Sequence, residues 1–129
     1  MILNLDFNSD KSIYTQICDE LTKSIARGDL KINESLPSVR NMAESIGVNL
    51  HTVNKAYNSL KDEGFLNIDR RKGAVVATLP IKKDNKTLNK NKNELELLVA
   101  KCYLSGMTKE DFLNLSSNLF NNYEVKYDE

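Results

Sequence analysis

The chain has 129 residues, 40% of them hydrophobic, and eighteen Lys/Arg balance eighteen Asp/Glu. That length holds one packed core, or one core with a small appendage. A net charge of zero singles out no partner, and no apolar run approaches the roughly 20 residues of a membrane span.

The start, "MILNLDFNSDKS", lacks the basic leader and apolar block of a secretory signal, so a cytoplasmic location is expected. Charge is distributed unevenly beneath the neutral total. Residues 1–78 are balanced, residues 79–92 carry a net +4, and residues 93–129 a net −4. Only local patches can therefore attract a charged partner.

In chain order, a first helix is expected from Ser12 to Arg27. Ile13, Ile17, Leu21 and Ile25 recur every four residues, with Tyr14 and Cys18 widening the stripe. Asp10 or Ser12 can cap its start, and Gly28 suits its end. A second helix follows "DLKINESLPS", with Pro37 expected in its first turn, where a missing N–H is harmless. Val39, Met42, Ala43 and Ile46 give it a short apolar face that stops at Gly47. Asn49 is a natural N-cap for a third helix reaching about Glu63, with Val53, Ala56, Tyr57 and Leu60 inward. Two helices joined by the short "IGVN" turn match a helix-turn-helix.

"FLNID" and "AVVATL" then read as two short strands around a basic tip, "RRKG". A helix-turn-helix followed by such a hairpin is a winged helix. The fold class expected is α+β, mostly helical: a winged helix-turn-helix over residues 1–78, a linker at 79–92, and a two-helix dimerisation tail at 93–129. The lysine- and asparagine-rich linker has little to bury and is expected to be flexible. In the tail, Leu95, Leu98, Val99 and Cys102 line one helix and Phe112, Leu115, Leu119 and Tyr123 the next. Gly106 makes the turn between them, and Thr108 with Asp111 sets a capping box. A thin hairpin cannot bury both stripes against itself, so pairing with a second copy is expected.

The third helix begins with short polar tips rather than long charged ones: Asn49, His51, Thr52, Asn54 and Lys55. In a helix-turn-helix this leading segment enters the major groove of duplex DNA. Asn pairs with adenine, and Thr offers a hydroxyl or a methyl. Leu50, poorly placed for a core, suits a thymine methyl. Asn49 is either a cap alone or a cap and a contact; Lys55 is either a backbone contact or a solvated lysine. His51 is the only histidine, without the partners that metal ligation or general-base catalysis needs.

Arg70, Arg71 and Lys72 suit a minor groove, where narrow A·T tracts attract cations. Cys18 and Cys102 lie far apart without metal-ligand spacing and read as buried free thiols. No cofactor or metal is expected. With no phosphate-cradling glycine loop and no clustered carboxylates, catalysis is not expected either. A protein-interaction adaptor is the remaining rival, because winged helices also serve as docking modules.

The run "YTQICDELTKSIARGDLKINESLPSVRNMAESIGVNLHTVNKAYNSLKDEGFL" resembles the N-terminal winged helix of the GntR family of bacterial transcription regulators. The resemblance covers residues 12 to 77 and rests on "LPSVR", "A…GVN…TV…AY..L" and "EGFL". The short tail is similar to the YtrA subfamily, which has no room for the large ligand-binding domains of other branches. The resemblance implies DNA contact by Arg40 of "LPSVR" and transcriptional repression, including of a neighbouring transport operon. A guanidinium can clamp phosphate or a guanine edge. Ser38 is expected chiefly as a helix cap. The family's wing reads Arg-Gly-x-Gly, whereas here it is Arg70-Arg71-Lys72-Gly73, so the usual conformation and backbone contact at position 71 do not carry over. A small-molecule effector is not assigned: the tail is too small for an obvious cavity of ~300 Å³ within one subunit, though a dimer cleft could form one.

Overall fold

A computed structural model describes residues 3–82 and 84–128. The element order is α1 (Ile13–Arg27), α2 (Val39–Ile46), α3 (Leu50–Asp62), β1 (Leu66–Asp69), β2 (Gly73–Val76), α4 (Asn85–Leu104) and α5 (Lys109–Asn121). The chain divides into two compact units. One holds the residues up to Ile81 together with the segment from Glu124 onward; the other spans Lys82–Tyr123.

The first unit is built around α1 and α3. Ser12 caps α1 by accepting the Thr15 N–H, and Gly28 ends it in the left-handed region at φ +81°. The four-residue repeat of α1 puts Ile17, Leu21 and Ile25 in the core, where Leu30, Leu36, Met42, Val53, Leu60, Leu66 and Val76 meet them. β1 and β2 pair antiparallel with Leu66 opposite Val76 and Asp69 opposite Gly73. A single bridge from Ser35 to Val75 adds the preceding segment to this sheet. Leu66 is buried, yet Ile68 on the same side of β1 is 55% exposed. The wing therefore projects past the core, so its far end answers to something other than packing.

Four local expectations are corrected. Pro37 lies outside α2, because Ser38 supplies the N-cap by accepting the Asn41 N–H. The segment expected as a flexible linker is helical from Asn85: Asp84 caps α4 through the Thr87 N–H, and a good cap starts a helix even where no side chain is buried. The chain after Tyr123 leaves the helical hairpin and rejoins the first unit. There the Glu124 N–H donates to the Ala26 carbonyl at 2.8 Å, the Ile32 N–H donates to the Lys126 carbonyl at 2.7 Å, and Val125 packs against the core. Finally, Cys18 and Cys102 are free as expected but only half-buried; burial still pushes the Cys18 thiol above its ordinary value.

The second unit consists of α4 and α5 with a left-handed Gly106 between them, at φ +89°. Thr108 caps α5 by accepting the Asp111 N–H. Neither helix contains a buried residue.

Candidate nucleic-acid interface

The helix-turn-helix is formed by α2, the turn through Gly47, and α3. Gly47 takes φ +67° and ψ 38°, the conformation that lets the chain leave α2 and start α3 within three residues. Its Val48 neighbour donates back to the Ala43 carbonyl at 3.0 Å. Tyr57 locks the pair from below: the buried ring sends its hydroxyl to the Pro37 carbonyl at 2.7 Å, which fixes α3 against the lead-in to α2. Burial raises the Tyr57 phenol far above its ordinary value, so it remains a donor.

This scaffold turns the start of α3 outward. Val53, Ala56, Tyr57 and Leu60 point to the core, and Leu50, His51 and Asn54 are exposed beside them. Leu50 is 42% exposed, a costly setting for a leucine. It lines an open groove of about 420 Å³ with Arg40, Ala43, Glu44, Gly47 and Val48. The fold thus brings Arg40 of α2 next to the leading residue of α3.

The remaining candidates differ in how free they are. Asn49 caps α3 with its side-chain oxygen, accepting the His51 N–H at 2.7 Å. Only its amide NH2 is left to reach outward, so a two-point contact with adenine suits Asn54 better. Ser38 Oγ is engaged as the α2 cap at 3.1 Å from the Asn41 nitrogen. Thr52 is half-buried. Lys55 is not simply solvated, for its ammonium sits 4.3 Å from the centre of the Tyr14 ring on α1. A cation–π contact at an exposed site is worth about 0.5–1 kcal/mol, little enough to yield to a phosphate.

At the wing tip, Arg70, Arg71 and Lys72 are all exposed. Position 71 needs no glycine here: the left-handed residue is Gly73, at φ +74°. One participant is not evident from the sequence pattern. Asp69 Oδ1 accepts the N–H groups of Arg71 at 2.7 Å and Lys72 at 2.9 Å. A signal for it exists, since Asp ahead of a short loop that ends in Gly is ordinary turn chemistry, but the neighbouring run of cations masks it. Gln16 is equally inconspicuous. It is buried, and its amide holds the N-terminal segment by exchanging hydrogen bonds with the Asp6 N–H and carbonyl. A polar residue inside an apolar stripe gives no such warning.

In the helical unit, the tail candidates Leu95, Leu98, Val99, Leu115 and Leu119 are exposed, while Cys102 and Phe112 are half-buried. No cluster of His, Cys, Asp or Glu able to hold a metal occurs among the described residues, and none of the described helices is long and apolar enough to cross a membrane.

Comparison with known proteins accounts for this architecture. Residues 13–76 match the family described as bacterial regulatory proteins, gntR family. The structure of YtrA from Sulfolobus acidocaldarius, a GntR-family transcription factor, is 36% identical and superposes with a TM-score of 0.65 over 81% of this chain and 99% of that one. A transcriptional antiterminator from Listeria monocytogenes, 24% identical, shares the fold across 100% of this chain and 98% of its own at a TM-score of 0.84. The transcriptional repressor YtrA of Bacillus subtilis is 34% identical over 76 residues, which are 59% of this chain and 58% of that repressor. The chain spans between 14% and 88% of the length of other curated relatives it matches. With its winged helix, its match to the family pattern and its likeness to the Sulfolobus YtrA over 81% of its length, the chain belongs to the GntR family of DNA-binding transcription regulators, in the YtrA subfamily.

Proposed function

We propose that the protein is a cytoplasmic, homodimeric repressor that reads an inverted-repeat operator, including one that controls a neighbouring transport operon. The observation that carries the reading is the juxtaposition of Arg40 with Leu50 in one open groove at the leading end of α3, where His51 and Asn54 are also exposed. A guanidinium suited to phosphate or guanine stands beside a leucine suited to a thymine methyl, and the same helix exposes an asparagine suited to adenine one turn on. Arg40, Leu50, His51, Thr52 and Asn54 form the base-reading set; Ser38, Asn49 and Lys55 support it from the flanks. Arg70, Arg71 and Lys72 of the wing reach the minor groove or its phosphates.

One such helix reads only a few base pairs, too few for selectivity in a genome. The helical unit answers this need. Leu98 is 52% exposed and Leu119 47% exposed, and the stripes of α4 and α5 recur at three- and four-residue steps, as helix-pairing surfaces do. Paired through residues Leu95, Leu98, Val99, Cys102, Phe112, Leu115 and Leu119, two copies present two reading heads. Half-sites about one helical turn, ~34 Å, apart then follow from two-fold symmetry. The repressor names of relatives support the sign of regulation.

Selection of bound fragments from genomic DNA, followed by anisotropy titration with the recovered duplex, tests the reading. Retention is expected to fall roughly 10³- to 10⁵-fold between 50 and 200 mM salt if about six to ten phosphates are neutralised. Arg40→Ala is expected to cost about 5- to 150-fold, from the ~1–3 kcal/mol that one two-point base interaction is worth. No enrichment of any fragment, with the chain folded, would favour the adaptor role instead.

A further inference from the structure

We infer that Asp69 is a positioning residue for DNA binding, whose carboxylate holds the wing-tip backbone so that Arg70, Arg71 and Lys72 are presented as one fixed basic surface. This deepens the DNA-binding reading and rests on it.

Asp69 is the last residue of β1 and faces Gly73, the first of β2, leaving a loop of three cations between them. Its Oδ1 takes both the Arg71 and the Lys72 N–H. Gly73 completes the reversal at φ +74°, with open space where a Cβ would stand. An acid so close to three cations would be expected to pair with one of them. Among the described residues it does not: the ion pairs lie elsewhere, at Lys11–Asp19, Glu20–Lys23 and Arg27–Asp29. Asp69 is thus engaged with the backbone, and all three cationic heads stay available.

The arrangement also accounts for the absence of a glycine at position 71. A glycine at position 71 would leave more backbone freedom to lose on binding. Here order is supplied beforehand by two charge-assisted hydrogen bonds, which lowers the entropy lost on binding. The same two donors, Lys72 first and then Arg71, hold the Asp69 carboxyl below its usual range. The cost is one negative charge beside the phosphates. Positioning and repulsion therefore oppose each other in this one side chain, and two substitutions separate them. Asp69→Asn keeps an oxygen acceptor and removes the charge. Asp69→Ala removes both.

The test uses the full chain and a fluorescein-labelled mixed-sequence duplex at low salt, where sequence-independent phosphate contacts supply binding. Asp69→Ala is expected to bind about 3- to 10-fold more weakly, with the slope of log affinity against log salt shallower by about 0.9 for each phosphate no longer neutralised. Asp69→Asn is expected to bind as tightly as the parent or a few-fold tighter. Tightening by both variants alike would make Asp69 a mere repulsive charge, and no change in either would deny it any role; both results overturn the inference. Arg40→Ala is run alongside. If it loses affinity while Asp69→Ala does not, only the role of Asp69 falls; if the parent chain itself is not retained, the DNA-binding site falls with it. Because the Asp69 side chain is exposed, neither variant removes core packing, and unchanged far-ultraviolet circular dichroism verifies the fold.

Discussion

The two units of this chain solve the problem of apolar surface in opposite ways. The winged unit hides most of its leucines and isoleucines from water within itself, with Ile17, Leu21, Val53 and Leu66 fully buried and Leu50 and Ile68 as exceptions. The helical unit is at least as rich in leucine, yet no residue of α4 or α5 is buried. Three or more elements crossing one another enclose a core, whereas a two-helix hairpin has only one inner face and leaves the rest wet. The lesson is that the first unit encloses a core of its own, whereas the second has none, which is why we propose that it pairs with a second copy.

The sharpest way to break this contrast is to charge the hairpin stripe. Leu98→Asp combined with Leu119→Asp is expected to halve the mass seen by light scattering and to weaken operator binding by ~10²-fold or more, the loss of avidity when two heads become one. The melting of the winged unit should stay where it was. A parent chain that already scatters as a single copy at micromolar concentration would remove the dimer altogether.

Next in size is Leu21→Ala in the winged core, expected to cost ~2–5 kcal/mol in urea unfolding through lost transfer energy and the cavity left behind. Its effect should not vary with protein concentration. A concentration-dependent loss would mean that the winged unit, too, relies on a second copy.

Smaller again are two glycines that both sit at positive φ but differ in surroundings. At Gly47 a Cβ meets nothing within 4 Å, so Gly47→Ala is expected to cost only the left-handed strain of ~1–2 kcal/mol. At Gly28 a Cβ would collide with the Glu124 carbonyl oxygen and stand 2.9 Å from Lys126 Cγ. Gly28→Ala should therefore lower the melting temperature further and release residues 124–128 to proteolysis. Equal effects at the two positions would mean that the C-terminal segment does not pack against Gly28.

The smallest expected effect is on pH. Because the folded Asp69 carboxyl lies below its unfolded value, the turn it holds is intact above the ordinary carboxylate range and is lost as pH falls through the lowered value. In a two-dimensional NMR titration the Lys72 amide resonance should stay in place through the ordinary Asp range and move only at more acidic pH. Movement centred on the ordinary value would show that the two hydrogen bonds do not persist in solution.

Most of the fold was legible because its signals are short-range. The repeat of Ile13, Ile17, Leu21 and Ile25 gives α1, the caps Ser12, Asn49 and Thr108 start their helices, and Gly47 opens the turn before the recognition helix. The outward face of α3 was legible from the same pattern, since a helix with Val53, Ala56, Tyr57 and Leu60 inward must turn Leu50, His51 and Asn54 outward. The helical start of α4 was less legible. Asn and Lys are poor evidence of burial, and Asp84 as a cap looks no different from any other acid in a charged run.

What the sequence by itself determined is therefore the element order, the helix-turn-helix with its wing, and which faces are apolar, because periodicity and capping act over a few residues. Only the tertiary structure decided which candidates are free. It placed Lys55 on the Tyr14 ring, joined Arg40 to Leu50 along one groove, and brought Glu124 and Lys126 back to Ala26 and Ile32. Each of these unites positions distant along the chain or on different elements. Such contacts follow from how packed elements approach one another, and no local pattern of residues encodes that geometry.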